Sequence, residues 1–325
     1  MTLQFDDLRQ RGNRCLDFAA YSPRRLVLIH TAVSLGASLV VGLLTLLFEQ
    51  LIANTGGLGS MGTRSMLQTA QVLLAVIEIF ILPFWNIGIT RAALCWARGE
   101  LAEPHTLLEG FRRYRSVLGL FLLILAILLG LSMVVSQIAT TLFMLTPFAG
   151  DLIGAQDLLT QNFSILSPEI LPSDEAIAQY LSATKPLTIF SVILFAAGAI
   201  LVLYRIRFAG FALMDGGRSV VSLIESFRIT KRRCMEVFKI DLRFWWFYLL
   251  QALSVALSNG DTILAALGVS LPMSEEVSYV LFYAVGIVAQ GLLLWWYQAR
   301  VSVTYALAYE QLTADTAAVC SQTVQ

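Results

Sequence analysis

Long apolar runs separated by short charged stretches set the pattern of this chain. Six nearly uncharged segments stand out, at roughly 26–52, 67–90, 117–147, 187–204, 244–258 and 277–299. A helix needs about 20 apolar residues to cross a hydrocarbon core of ~30 Å, and all but the fifth are near or above that length. The fifth has about 15 uncharged residues, and its aromatic start, Phe244 to Tyr248, suits the headgroup layer. The third is long enough to tilt or to project beyond the bilayer. The pattern predicts an all-α, polytopic membrane helix bundle of six transmembrane helices, with amphipathic interfacial helices on the cytoplasmic side.

Charge placement orients the thread. With the N-terminus inside, 1–25, 91–116, 205–243 and 300–325 fall in the cytoplasm and hold 20 of the 22 Lys and Arg residues. Only Arg64 and Lys185 fall outside, and such a split follows the positive-inside rule. The expected organisation is one integral membrane domain. It comprises a cytoplasmic segment 1–25, helices one to three over 26–147, an extracytoplasmic loop 148–186, helices four to six over 187–299 and a cytoplasmic tail 300–325. The charged start, MTLQFDDLRQRGNRCLDF, does not read as a cleaved secretory signal. In the loop, Ser173 before Asp174 and Glu175 predicts an N-cap opening a short helix through about Ala183, with Pro186 beyond it.

Composition agrees. Hydrophobic residues make up 57% of the 325 and charged residues only 14%, against about 25% in an ordinary soluble domain. Mean hydropathy is +0.74, so lipid is the solvent for much of the surface. The net charge of zero argues against a nucleic-acid binder. Cys15, Cys95, Cys234 and Cys320 all fall on the inner side, which predicts free thiols, and no pair has zinc-ligand spacing.

The chain also repeats itself. TLLEGFRRYRSVLGLF (106–121) and SLIESFRITKRRCMEVF (222–238) share Leu-x-Glu-x-Phe-Arg ahead of a membrane segment. The exits FWNIGITRAALCWARGE (84–100), LYRIRFAGFALMDGG (203–217) and WWYQARVSVTYALAYEQ (295–311) each place an arginine where the helix leaves lipid: Arg91, Arg207 and Arg300. Three helical hairpins of like orientation, joined by interfacial helices, would give this pattern.

Reactive chemistry is thin. Gly57-Leu-Gly59-Ser-Met-Gly62 matches G-x-G-x-x-G but follows no strand, and reads as a turn between helices one and two. His30 and His105 have no Cys, Asp or Glu at ligand spacing. No catalytic residue, metal site or cofactor site can be named, and no enzymatic activity is expected.

Two candidate sites remain. Glu78 falls near mid-membrane, where an ionised carboxylate costs at least ~3 kcal/mol and must face protein or water, or be protonated. Gln71, Glu78 and Trp85 share a helix face with Gln68 and Asn86 beside it, and Gln251 or Gln290 could partner the carboxyl. The second is the basic cluster Arg228, Lys231, Arg232, Arg233, Lys239 and Arg243, placed to contact anionic headgroups at about 1 kcal/mol per cation. Ser34, Ser38 and Gly42, and likewise Ser132, Ser136 and Thr140, form small-residue faces suited to close helix packing.

Phe238-Lys-Ile-Asp241-Leu242-Arg-Phe244-Trp-Trp-Phe and Tyr297-Gln-Ala-Arg-Val-Ser-Val-Thr-Tyr305-Ala-Leu-Ala-Tyr309 carry a family resemblance. So do Trp96-Ala-Arg-Gly-Glu100 and Glu109-Gly-Phe111. In these segments the chain resembles the bacterial integral membrane proteins catalogued as domain of unknown function 975, with Arg243 where that pattern has serine. The resemblance implies a multi-helix protein of the bacterial cytoplasmic membrane and carries no catalytic residues. The expectation is a non-enzymatic protein, both termini cytoplasmic, that organises anionic lipid, a protein partner or a second copy of itself. The alternative is a small transporter or channel component built around Glu78.

Overall fold

The computed structural model describes residues 5–54, 61–154, 174–231, 233–266 and 275–323, and among them there is no strand. In chain order the helices are α1 (Phe5–Asp17), α2 (Pro23–Asn54), α3 (Met61–Arg98), α4 (Glu109–Arg112) and α5 (Tyr114–Phe143). There follow α6 (Asp174–Ile206), α7 (Ala209–Met214), α8 (Ser219–Thr230), α9 (Cys234–Arg243), α10 (Trp245–Ser258), α11 (Gly260–Ala266) and α12 (Glu275–Thr323). A 3-10 turn, Pro104–Leu108, leads into α4. Among the described residues five helices are long and apolar enough to cross a membrane, and α10 is a shorter apolar helix of 14 residues. The protein is an all-α membrane bundle.

The described chain falls into two compact units, Met1–Phe121 with Arg207–Gln325, and Leu122–Ile206. In the second, the buried face of α5 runs through Val135, Ala139 and Phe143, one helical register away from the expected Ser132, Ser136 and Thr140 face. Ser136 is exposed there, because the bulkier apolar row offers more contact area than hydroxyls one position away. The helix expected to stop near Ala183 instead runs through Pro186 to Ile206. One proline removes a single backbone bond, which an otherwise continuous apolar helix absorbs, as membrane helices commonly do.

In the first unit the small face of α2 behaves as expected. The Tyr283 hydroxyl of α12 donates to the Ser38 carbonyl at 3.0 Å, and its ring lies over Gly42. The best-buried core lies at the basic ends of the helices rather than midway along them. Leu94, Trp96, Leu107, Phe208, Leu213, Met214, Ile229, Ile240 and Leu312 are all fully buried. Gly88 and Gly110 make this density reachable, since a Cβ on either would overlap the backbone carbonyl of Leu107 or Phe84.

Two of the three exits end in the same way. Gly99 (φ +70°) and Gly216 (φ +102°) close their helices in the left-handed conformation. Around them Glu100 N–H donates to the Cys95 carbonyl at 2.8 Å and Gly217 N–H to that of Ala212 at 3.1 Å, the pairing of a Schellman cap. The third exit carries no glycine after Arg300, so α12 continues unbroken for 49 residues, through most of the expected tail 300–325. At ~1.5 Å per residue it extends far beyond a hydrocarbon core of ~30 Å.

Candidate functional site

The three exit segments meet at their ends. Arg98, in the last turn of α3, donates to Asp215 Oδ1 at 2.7 Å and to Glu310 Oε1 at 2.6 Å, so one guanidinium links all three. Tyr309 stacks on Phe211 with ring centroids 5.8 Å apart, and its hydroxyl reaches Asp215 Oδ2 at 3.4 Å. The shared Leu-x-Glu-x-Phe-Arg segments also fold alike. Glu109 pairs with Arg112 at 3.2 Å and Glu225 with Arg228 at 3.1 Å, each across three residues of a short helix. Arg113 then reaches the Leu213 carbonyl at 3.2 Å, and Ser219 donates to the Ser116 carbonyl at 2.8 Å, tying the first loop to the second exit.

A second polar cluster surrounds Asp241. Its carboxylate accepts from the hydroxyls of Tyr248, at 2.8 Å, and Tyr305, and faces the Arg207 guanidinium at 3.3 Å. Arg207 also lies over the Tyr305 ring, 4.5 Å from its centroid, and donates to the Tyr248 hydroxyl at 2.8 Å. With the Asp241 side chain only 15% exposed, the positive charge is matched locally and the phenols cover it. Both clusters are therefore internally satisfied, and they act as locks between helices.

The sequence-predicted basic residues divide into two sets. Arg228 is paired with Glu225, and Arg233 with Asp315 at 2.9 Å. Lys231, Lys239 and Arg243 are exposed and face no carboxylate among the described residues; Arg243 lies over the Phe5 ring, 5.8 Å from its centroid. Arg232 lies outside the described residues, as do 155–173 of the 148–186 loop and most of the Gly57–Gly62 turn.

Arg243 also borders a cavity of about 160 Å³ together with Arg9 and the exit arginine Arg300, neither of them among the predicted lipid contacts. Phe5, Arg9 and Asn13 form its α1 wall, one face of that helix at i, i+4 and i+8. Buried Leu8 anchors α1, and Gly12 lets it close on α12, where a Cβ would sit 3.0 Å from Val303. Trp246 and Tyr297 meet edge to face at 4.3 Å and form the apolar side.

Of the predicted intramembrane residues, Gln71 is half-buried on α3, Gln251 on α10 and Gln290 on α12, while Asn86 is exposed. The side chains of Glu78 and Gln68 lie outside the described residues. Trp85, on the same predicted face, is buried; its indole N–H donates to the His30 carbonyl at 3.0 Å and its ring stacks on the His30 imidazole. Around it Thr31 Oγ1 and Ser34 Oγ are buried with no hydrogen-bond partner among the described residues, and the buried His30 ring lies beside the Asn86 and Gln298 side chains. No three His, Cys, Asp or Glu side chains converge among the described residues in a way that could hold a metal ion.

The chain matches no known family model, no curated protein and no solved structure. Its functional reading therefore stands on geometry and residue pattern.

Proposed function

We propose that this chain is a non-enzymatic, multi-pass protein of the bacterial cytoplasmic membrane, both termini cytoplasmic, whose basic inner face gathers anionic lipid or a protein partner. One observation carries the reading. Acidic side chains answer Arg98, Arg207, Arg228 and Arg233, yet Arg9, Lys231, Lys239, Arg243 and Arg300 keep no carboxylate partner among the described residues. Arg243 stands at the start of apolar α10, and Arg300 follows the apolar run of α12. Cations so placed sit at headgroup depth, where each contributes about 1 kcal/mol toward an anionic surface. The resemblance to domain of unknown function 975 supports the same location. Purified protein reconstituted into mixed phosphatidylcholine and phosphatidylglycerol bilayers is expected to enrich phosphatidylglycerol in its annulus. No enrichment, together with no copurifying partner, ends the proposal.

A second reading, a small transporter or channel component, draws on the unpartnered buried hydroxyls of Thr31 and Ser34 near Trp85. Buried polar groups without protein partners are costly unless solvated, which favours a hydrated interior at this level. Cation- or proton-coupled uptake in liposomes that is unchanged by Glu78→Gln removes this reading.

A further inference from the structure

We propose that the cavity bordered by Arg9, Arg243 and Arg300 binds a single phosphate group, as monoester or diester, of a headgroup-sized ligand at the inner membrane surface. The inference rests on the reading of the basic face as an anionic-lipid surface and assigns it one built site.

Four observations converge. First, the cavity is lined by three guanidiniums and one carboxylate, Asp6, a net of two positive charges. A phosphate monoester carries about −1.5 to −2 at neutral pH, which the lining matches, and a diester, with a single negative charge, is attracted by the same excess. Second, none of the three arginines is claimed by a carboxylate among the described residues, whereas Arg91, Arg98, Arg113, Arg207, Arg228 and Arg233 are. Guanidinium forks suit phosphate oxygens geometrically, in a way a lysine ammonium does not. Third, the volume of about 160 Å³ lies below the range of drug-sized pockets, about 300–1,000 Å³. It admits a phosphate and its nearest substituent, with the remainder of the ligand outside. Fourth, Trp246 and Tyr297 line the same cavity, and such residues settle at the boundary between headgroups and acyl chains. A phosphate held here would keep its chains on the lipid side.

The walls come from α1, the α9–α10 junction and α12, so a bound phosphate would draw the N-terminal helix onto the bundle. Occupancy should therefore stabilise the fold as well as localise lipid.

The test uses the full-length protein in neutral detergent micelles, titrated separately with short-chain phosphatidic acid, short-chain phosphatidylcholine and inorganic phosphate. Dissociation constants are followed by thermal shift, and native mass spectrometry counts retained lipid. Arg243→Gln with Arg300→Gln should weaken phosphatidic acid binding about tenfold or more, while Lys185→Gln, an exposed cation outside the cavity and outside the basic face, should change it less than about twofold. Because the paired cavity variant could lose stability, Arg9→Gln alone, an exposed position, should still weaken binding several-fold. Inorganic phosphate that binds through the same arginines supports the phosphate site with a free anion as its source. Binding of phosphatidic acid alone supports a lipid source. Wild-type preference for anionic lipid that survives all cavity variants overturns the site and leaves the basic-face reading standing. Absence of both lipid preference and phosphate binding overturns the two together.

Discussion

Arg98 and Glu310, 212 positions apart, are joined by two contacts from one guanidinium, Nε at 2.7 Å and Nη2 at 2.6 Å. The same Nη2 also holds Asp215 at 2.7 Å. Three segments that look alike in the sequence thus end at one shared cation. Removing it leaves two carboxylates facing each other. Arg98→Ala should therefore lower stability by about 1 kcal/mol, a modest figure because all three side chains are partly exposed. Arg98→Lys should recover only part of the loss, since an ammonium cannot span both acids as the planar fork does. Thermal denaturation in detergent checks both, and equal melting temperatures for wild type and Arg98→Ala would dismiss the node.

Asp241 is the deeper lock. Replacing it with Ala removes the countercharge of Arg207 and the acceptor of two tyrosine hydroxyls together. The expected cost is about 2–3 kcal/mol, toward the lower end for breaking a buried pair because Arg207 keeps some exposure to water. Tyr305→Phe keeps the ring under Arg207 and should cost only about 1 kcal/mol. A double-mutant cycle measures the coupling, and additive losses would show that the contact carries no cooperative weight.

The helix stops give a backbone prediction. Gly99→Ala and Gly216→Ala place a Cβ at positive φ and should each cost about 1–2 kcal/mol. Gly36→Ala, in the open middle of α2 with no neighbour within 4 Å of a new Cβ, should cost nothing. Melting temperatures of the three variants decide it, and a loss at Gly36 matching that at Gly216 would refute the caps.

Apolar run length and arginine position made the long helices legible, because lipid demands continuous apolar surface and charges mark where it ends. The Leu-x-Glu-x-Phe-Arg likeness was equally readable, and its local Glu–Arg pairs follow from helix spacing. What joins the segments was not readable. Arg98 meets Asp215 and Glu310 only through tertiary packing, and nothing in Trp96-Ala-Arg-Gly-Glu100 names those partners. Asp241, Tyr305 and Tyr309 were visible as a pattern, but their hydrogen bonds depend on helices far apart in the chain. The glycines after Arg98 and Asp215 did carry a signal, since Arg-Gly and Asp-Gly after an apolar helix mark a C-cap. Their absence after Arg300 announces the long α12. Arg243 was singled out for its neighbours in sequence, whereas Arg9 and Arg300 join it only in space.

The most direct measurement is the sidedness of the basic face, read in a cysteine-free background carrying one new thiol at a time. Intact cells are treated with a membrane-impermeant maleimide, then lysed and treated again. The account predicts that Asp261→Cys is labelled in intact cells, while Lys239→Cys and Arg14→Cys react only after lysis. Labelling of Lys239→Cys before lysis, with Arg14→Cys protected, would place the basic face opposite the amino terminus and contradict the account.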